Sequence, residues 1–216
     1  MKTLRQLFFF AATLGALVIA GNAWAQKAAQ AGVDYQIIAH GQTFSDNRGK
    51  IEVAEVFSYR CPHCAMFQPI SDGWRKRLGD DVHYVHVPAT FDPRDMFARA
   101  HFAAQKTGVI ASSHGALFRA IHSERNFPGN PSADELVAFH VRQGANQASF
   151  VAAMNSPETA ALMQKSREFI EANGVMGTPT LIINGQYRVT GRSHQDNIRI
   201  AEQLIAQLRA QHRRTP

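Results

Sequence analysis

Ile51-Glu52-Val53-Ala54-Glu55-Val56-Phe57-Ser58-Tyr59-Arg60-Cys61-Pro62-His63-Cys64 is the stretch that decides how this chain is read. Ile51 to Phe57 is rich in β-branched and aromatic residues, a strand signature. Pro62 suits the first turn of a helix, where its missing N–H costs nothing. Cys61 therefore falls at a helix N-terminus directly after a strand. Unpaired backbone N–H groups and the helix dipole favour a thiolate there, which makes Cys61 the nucleophile. Cys64, one turn further in, becomes its resolving partner. The chain holds only these two cysteines, spaced C-x-x-C, so its thiol chemistry is confined to this turn.

Other uses of the pair fit poorly. A structural staple would close a very short loop and gain little chain entropy. A structural zinc site wants four ligands and a second pair, which is missing: His83 and His86 fall on opposite faces of a predicted strand and the other histidines are dispersed. The reading implies no metal and no cofactor, only a redox-active Cys61–Cys64 disulfide.

Upstream, Lys2 and Arg5 precede an apolar stretch from Leu7 to Ala20, and Ala23-Trp24-Ala25 is an A-x-A cleavage signal. Residues 1–25 read as a secretory signal peptide cleaved after Ala25. The apolar stretch is short for a membrane-spanning helix of roughly 20 residues, which disfavours an uncleaved anchor. Export matters because disulfides persist and cycle in oxidising compartments. The 216 residues carry a net charge of +6, which falls to +4 once Lys2 and Arg5 leave with the leader. That charge is modest and scattered. The clusters Arg75-Lys76-Arg77 and Arg213-Arg214 are not interleaved with aromatics, so no nucleic-acid partner is expected.

Further strands are predicted at Tyr35 to Ala39, Ile51 to Tyr59 and Val82 to Val87, with a helix from Pro62 to about Leu78. Residues 94–174 carry helical periodicity almost throughout. Ser132 to Glu135 is a capping box, and Ser156-Pro157-Glu158 orders a cap, a first-turn proline and an early carboxylate. Strands return at Thr180 to Asn184 and Tyr187 to Thr190 around the hairpin signal Asn184-Gly185-Gln186, and His194 to about Gln211 closes the chain as a helix. This is an α/β chain whose sheet must bury itself under helices, with an all-helical subdomain inserted before the last hairpin. Open α/β sheets place sites outside the carboxyl ends of parallel strands, where Cys61 would sit.

Along its whole length after the leader the chain closely resembles the DsbA family of bacterial periplasmic thiol:disulfide oxidoreductases. The resemblance rests on Cys61-Pro62-His63-Cys64, the preceding Glu55-Val56-Phe57-Ser58-Tyr59, and Val175-Met176-Gly177-Thr178-Pro179-Thr180, which is similar to the cis-proline loop of thioredoxin folds. It implies a thioredoxin fold over residues 26–90 and 171–216, with a helical subdomain over 91–170. It implies a cis Thr178–Pro179 bond facing the disulfide, and a periplasmic monomer that oxidises unfolded exported proteins and is reoxidised by an inner-membrane partner resembling DsbB. Two positions depart from the common pattern: Thr178 stands where many members carry Val, a feature shared with disulfide isomerases, and Tyr84 stands where some carry Lys.

The expected site follows. Cys61 is attacked and regenerated, and Pro62 opens the helix. His63 and the helix N-terminus stabilise the thiolate. Glu55, buried on an apolar strand, exchanges a proton with Cys64; Glu52 is its rival, on the opposite face. Thr178, Pro179 and Met176 line the surface that pairs with client backbone. The alternatives are an isomerase or reductase of the same fold, and a module that uses both thiols as metal ligands.

Overall fold

All seven residues of the strand Ile51–Phe57 are buried, because it lies inside a sheet covered on both faces. The computed structural model describes residues 27–214, so the predicted leader lies outside the described residues. The strands are β1 (Tyr35–Ile37), β2 (Ile51–Phe57), β3 (Val82–Pro88), β4 (Thr180–Ile183) and β5 (Tyr187–Val189), ordered β1-β5-β4-β2-β3. β3 runs parallel to β2, and the remaining pairs are antiparallel. Helix α1 (Pro62–Arg75) follows β2, and between β3 and β4 lie α2 (Met96–Lys106), α3 (Ile110–Phe118), a π-helical turn (Arg119–Ser123), α4 (Ala133–Arg142), α5 (Gln147–Met154) and α6 (Pro157–Ala172). Helix α7 (His194–His212) ends the chain. This is a thioredoxin fold carrying inserted helices.

Alternation along β2 distributes its side chains between two cores. Val53 joins Phe67 and Trp74 of α1, Leu181 and Ile183 of β4, and Ile200, Leu204 and Leu208 of α7 on one face. Ala54 and Val56 face the other way, with Ile182, Phe102 of α2, and Phe169 and Ile170 of α6. Each fully buried side chain of this size contributes about 1.5–3 kcal/mol through removal from water. A third cluster joins Phe57, Tyr59 and Cys64 to Phe97, Leu117, Phe118, Leu136 and Phe150. Cys64 therefore sits where the inserted helices meet the sheet domain.

Local signals hold where a specific residue type is required. Ser132 and Glu135 form a reciprocal capping box, and Ser156 caps α6 ahead of Pro157. Asn184 and Gly185 take φ of 52° and 62°, and the Gln186 N–H donates to the Ile183 carbonyl at 2.9 Å, closing the left-handed two-residue turn that suits a hairpin. The ends differ from expectation by a few residues. Helix α1 stops at Arg75 rather than near Leu78 because the Arg77 and Leu78 N–H groups tighten into turns onto Trp74 and Arg75. β3 continues one residue further than expected, to Pro88, in register with Phe57.

Candidate active site

Cys61 is the N-cap of α1, with φ −84° and ψ 117°, and Pro62 occupies the first turn. A turn in which the Cys61 N–H donates to the Ser58 carbonyl at 3.0 Å delivers the chain from β2 into the helix. No side-chain hydrogen bond of ordinary geometry caps this helix end, yet the N–H groups of His63 and Cys64 face the Cys61 sulfur. Cysteine thus stands where a capping carboxylate commonly does, and the same orphan donors favour its negative form.

Both sulfurs are free thiols, Cys61 partly exposed and Cys64 fully buried. The Cys61 pKa falls from 9.0 to about 5, chiefly because the Cys64 thiol donates to it, helped by Thr178 and by the two helix N–H groups and opposed by partial burial. Cys64 moves the other way, far above the ordinary thiol range, because its proton is committed to Cys61 and its surroundings are apolar. One proton held between two sulfurs is therefore assigned to the inner one.

Thr178 and Pro179 join by a cis peptide bond, as the family resemblance implied. The Cys61 sulfur lies 3.2 Å from the Thr178 carbonyl oxygen. As a thiol it donates to that carbonyl; as a thiolate it can only accept, so what Thr178 adds to lowering the Cys61 pKa comes from its side chain. His63, Met66, Thr178, Pro179, Arg192 and His194 line a cleft of about 450 Å³ beside the sulfur. Met176, two residues before Thr178 in the chain, is 95% exposed. The exposed His63 ring lies 6.5 Å from that of His194, and the His63 backbone N–H faces the Cys61 sulfur.

The two strand glutamates are both buried, on opposite faces. Glu52 accepts from the Phe44 and Ser45 N–H groups at 2.6 and 2.8 Å and from the Ser45 hydroxyl at 2.5 Å, which ties down the loop before β2. Glu55 lies under α1, accepts from the Tyr84 hydroxyl and faces Ser71. Burial raises its pKa from 4.5 to about 7 despite those hydroxyls. Tyr84 gives this acid a neutral partner.

Sequence reasoning missed what lies beside Glu55. His86 pairs in register with Glu55 across the β2–β3 ladder, its Nε2 3.8 Å from the carboxylate. Its ring lies 4.4 Å from that of His114. The Tyr59 hydroxyl is 2.8 Å from His114 Nδ1 and 3.2 Å from His101 Nδ1. Burial pushes all three histidines below the usual value, His114 to about 3, so the cluster is neutral at neutral pH. The π-helical turn carries His122, whose Nε2 lies 2.8 Å from the Tyr59 carbonyl. Among the described residues no group of histidine, cysteine and acidic side chains is arranged to hold a metal ion, and no helix is long and apolar enough to cross a membrane.

A thioredoxin fold whose strand-to-helix turn presents one acidic and one buried thiol opposite a cis-proline defines a class, the thiol:disulfide oxidoreductases. Comparison with known proteins narrows it. The family model described as "Thioredoxin" matches residues 45–201. The thiol:disulfide interchange protein DsbA of Pseudomonas aeruginosa is 33% identical over 75% of this chain and 78% of its own length, and that of Pseudomonas syringae pv. tomato 31% over 96% and 97%. The crystal structure of the oxidoreductase DsbA from Xylella fastidiosa superposes with a TM-score of 0.81 at 40% identity, covering 84% of this chain and 98% of that one. The chain belongs to the DsbA family of thiol:disulfide interchange proteins, and it is an enzyme, a protein disulfide oxidoreductase.

Proposed function

We propose that this protein is a periplasmic dithiol oxidase that donates its Cys61–Cys64 disulfide to newly exported proteins. The observation that carries the reading is the opposite displacement of the two thiols, Cys61 down to about 5 and Cys64 far up. A stabilised Cys61 thiolate stabilises the reduced enzyme, and a stable reduced form makes the disulfide a strong oxidant.

In the proposed reaction a client thiolate attacks Cys61 Sγ, and the Cys61–Cys64 bond breaks with its electron pair going to Cys64, which takes up a proton. A second client thiolate then attacks the client sulfur of the mixed disulfide, and Cys61 leaves as the thiolate. The client is oxidised by two electrons and the enzyme is left as the dithiol. An inner-membrane partner resembling DsbB reverses that change, and no added cofactor takes part. Glu55 is the proton donor to Cys64: Ser71, which faces it, lies two turns along α1 from Cys64, roughly 10 Å of helix rise on the same helix. Thr178, Pro179 and the exposed Met176 and Met66 offer backbone and apolar contact to an extended client chain, which suits many unrelated substrates.

The second reading, an isomerase or reductase, is favoured by Thr178, whose side chain helps lower the Cys61 pKa. A stoichiometric test separates them. Oxidised enzyme mixed with a reduced, unfolded two-cysteine client should lose its disulfide as the client gains one, within a single turnover. Failure of that transfer, with efficient repair of a scrambled client by the reduced enzyme, would establish the second reading.

A further inference from the structure

Glu55 is 1% exposed, so a carboxyl that spends and regains a proton in each cycle needs a route to solvent. A cleft of about 320 Å³ opens at the edge of the sheet, between α1, β3 and the start of α3, and its walls include Tyr84, His86 and His114. Glu55 does not line it. Two of those wall residues reach Glu55 from the cleft side: Tyr84, which donates its hydroxyl, and His86, 3.8 Å away. The Tyr84 hydroxyl is held to the carboxylate and burial keeps it far from ionising, which makes it a poor relay. An imidazole has two nitrogens and can take a proton on one as it releases a proton from the other.

We propose that His86 is the proton port of this enzyme, passing protons between water in the edge cleft and the Glu55 carboxyl. The proposal rests on Glu55 being the proton donor to Cys64. When Cys64 leaves as the disulfide opens, Glu55 gives up its proton. His86 Nε2–H then donates to the carboxylate while the other ring nitrogen accepts a proton from cleft water, and the ring returns to its first tautomer between turnovers. Water gains a hydroxide that buffer neutralises, so proton and charge balance.

The surroundings suit relay through a neutral ring. The groups that face His86 are Glu55 from β2, Tyr84 from its own strand, His101 from α2, His114 from α3, and Asp72 and Arg75 of α1 at the cleft wall. Desolvation, the two neighbouring histidines and the Arg75 charge all disfavour the imidazolium, so no proton is trapped on the ring at neutral pH. Nothing in this arrangement touches Cys61, which separates the port from thiolate stabilisation.

The test follows multiple-turnover oxidation of a reduced two-cysteine peptide, with excess glutathione disulfide reoxidising the enzyme so that Glu55 must regain its proton in every cycle, as a function of pH. His86→Phe keeps an aromatic ring in place without a relay and should slow turnover about a hundredfold at pH 7, at the low end of general acid–base effects, with the thiolate absorbance midpoint of Cys61 unmoved. His86→Ala should be slow as well, and millimolar imidazole, which fits the enlarged cleft, should restore it. Should His86→Phe fail to fold, His86→Ala with and without imidazole decides alone. Wild-type rates, a loss that imidazole does not relieve, or a loss that travels with a shifted Cys61 midpoint would each overturn the port. Glu55→Gln separates the two ideas: a slow Glu55→Gln beside a fast His86→Phe defeats the port alone, and a fast Glu55→Gln defeats the shuttle beneath it.

Discussion

The two ends of the redox pair, one turn apart on α1, occupy opposite surroundings. At the outer end Cys61 accepts from the Cys64 thiol, supported by Thr178 and the helix N–H groups, and its thiol is held down to about 5. At the inner end Cys64 meets Phe57, Tyr59 and the apolar faces of the inserted helices, with Glu55 and the histidine cluster further down the same side of β2. The same side chain is made acidic in one place and inert in the other by where the helix begins and what the insert covers. Oxidising power therefore belongs to the junction between the two parts of the fold, and neither cysteine carries it alone.

The largest effects should come from erasing one end. Cys61→Ser should lower disulfide transfer by at least about a thousandfold, since a hydroxyl cannot replace the sulfur that is attacked. Cys64→Ala, mixed with a disulfide-bonded client, should instead accumulate an enzyme–client mixed disulfide through Cys61, visible on a non-reducing gel. Equal behaviour of the two variants would erase the distinction between the ends.

The second prediction compares redox states across pH. Cys61 is depressed in the folded dithiol, so the stability it contributes is fully present above the unfolded value near 9 and is lost as pH falls through about 5. The oxidised form has no such group. Urea unfolding should therefore show the reduced protein gaining on the oxidised one as pH rises from 5 to 9, with the gap closing below 5.

The inner end has the opposite sign. Glu55 is raised to about 7, so its contribution is present below the ordinary value of 4.5 and is lost as pH rises through 7. Glu55→Gln should stabilise the protein above pH 7 by a few kcal/mol, an order-of-magnitude figure from the linkage relation, and have little effect near pH 4. An advantage independent of pH would place the cost elsewhere.

The smallest effect tests the partner of that acid. Tyr84→Phe removes the hydroxyl that lowers the Glu55 pKa, so the Glu55 titration should move further up, at a cost of about 1 kcal/mol for the lost hydrogen bond. A downward movement would mean that Tyr84 does not stabilise the carboxylate.

These contrasts also mark what was legible in the sequence. Cys61, Pro62 and Cys64 announce themselves because a proline and a cysteine at a helix start have few other uses, and Asn184-Gly185 because few other pairs adopt two left-handed conformations. Glu52 and Glu55 could be assigned to opposite faces by alternation, but which face lay under α1 depended on the packing of the whole sheet. The buried histidines could not be assembled in advance, since His86, His101 and His114 come from three elements and meet only through the β2–β3 register and the placement of the insert. A faint signal existed: Tyr84 and His86 share a strand face, and a parallel neighbour carrying Glu55 gives that face something to bind. The π-helical turn at Arg119–Ser123 left no such trace, because an inserted residue in a helix alters no motif.

The most direct test of the asymmetry is the thiolate absorbance of the reduced protein, titrated from pH 3 to 10 with Cys64 intact. A single transition near 5, with no second thiolate appearing by pH 10, is the predicted result. A transition near the ordinary thiol value of about 8.5 would contradict it, since an unperturbed Cys61 gives the disulfide no reason to be given away.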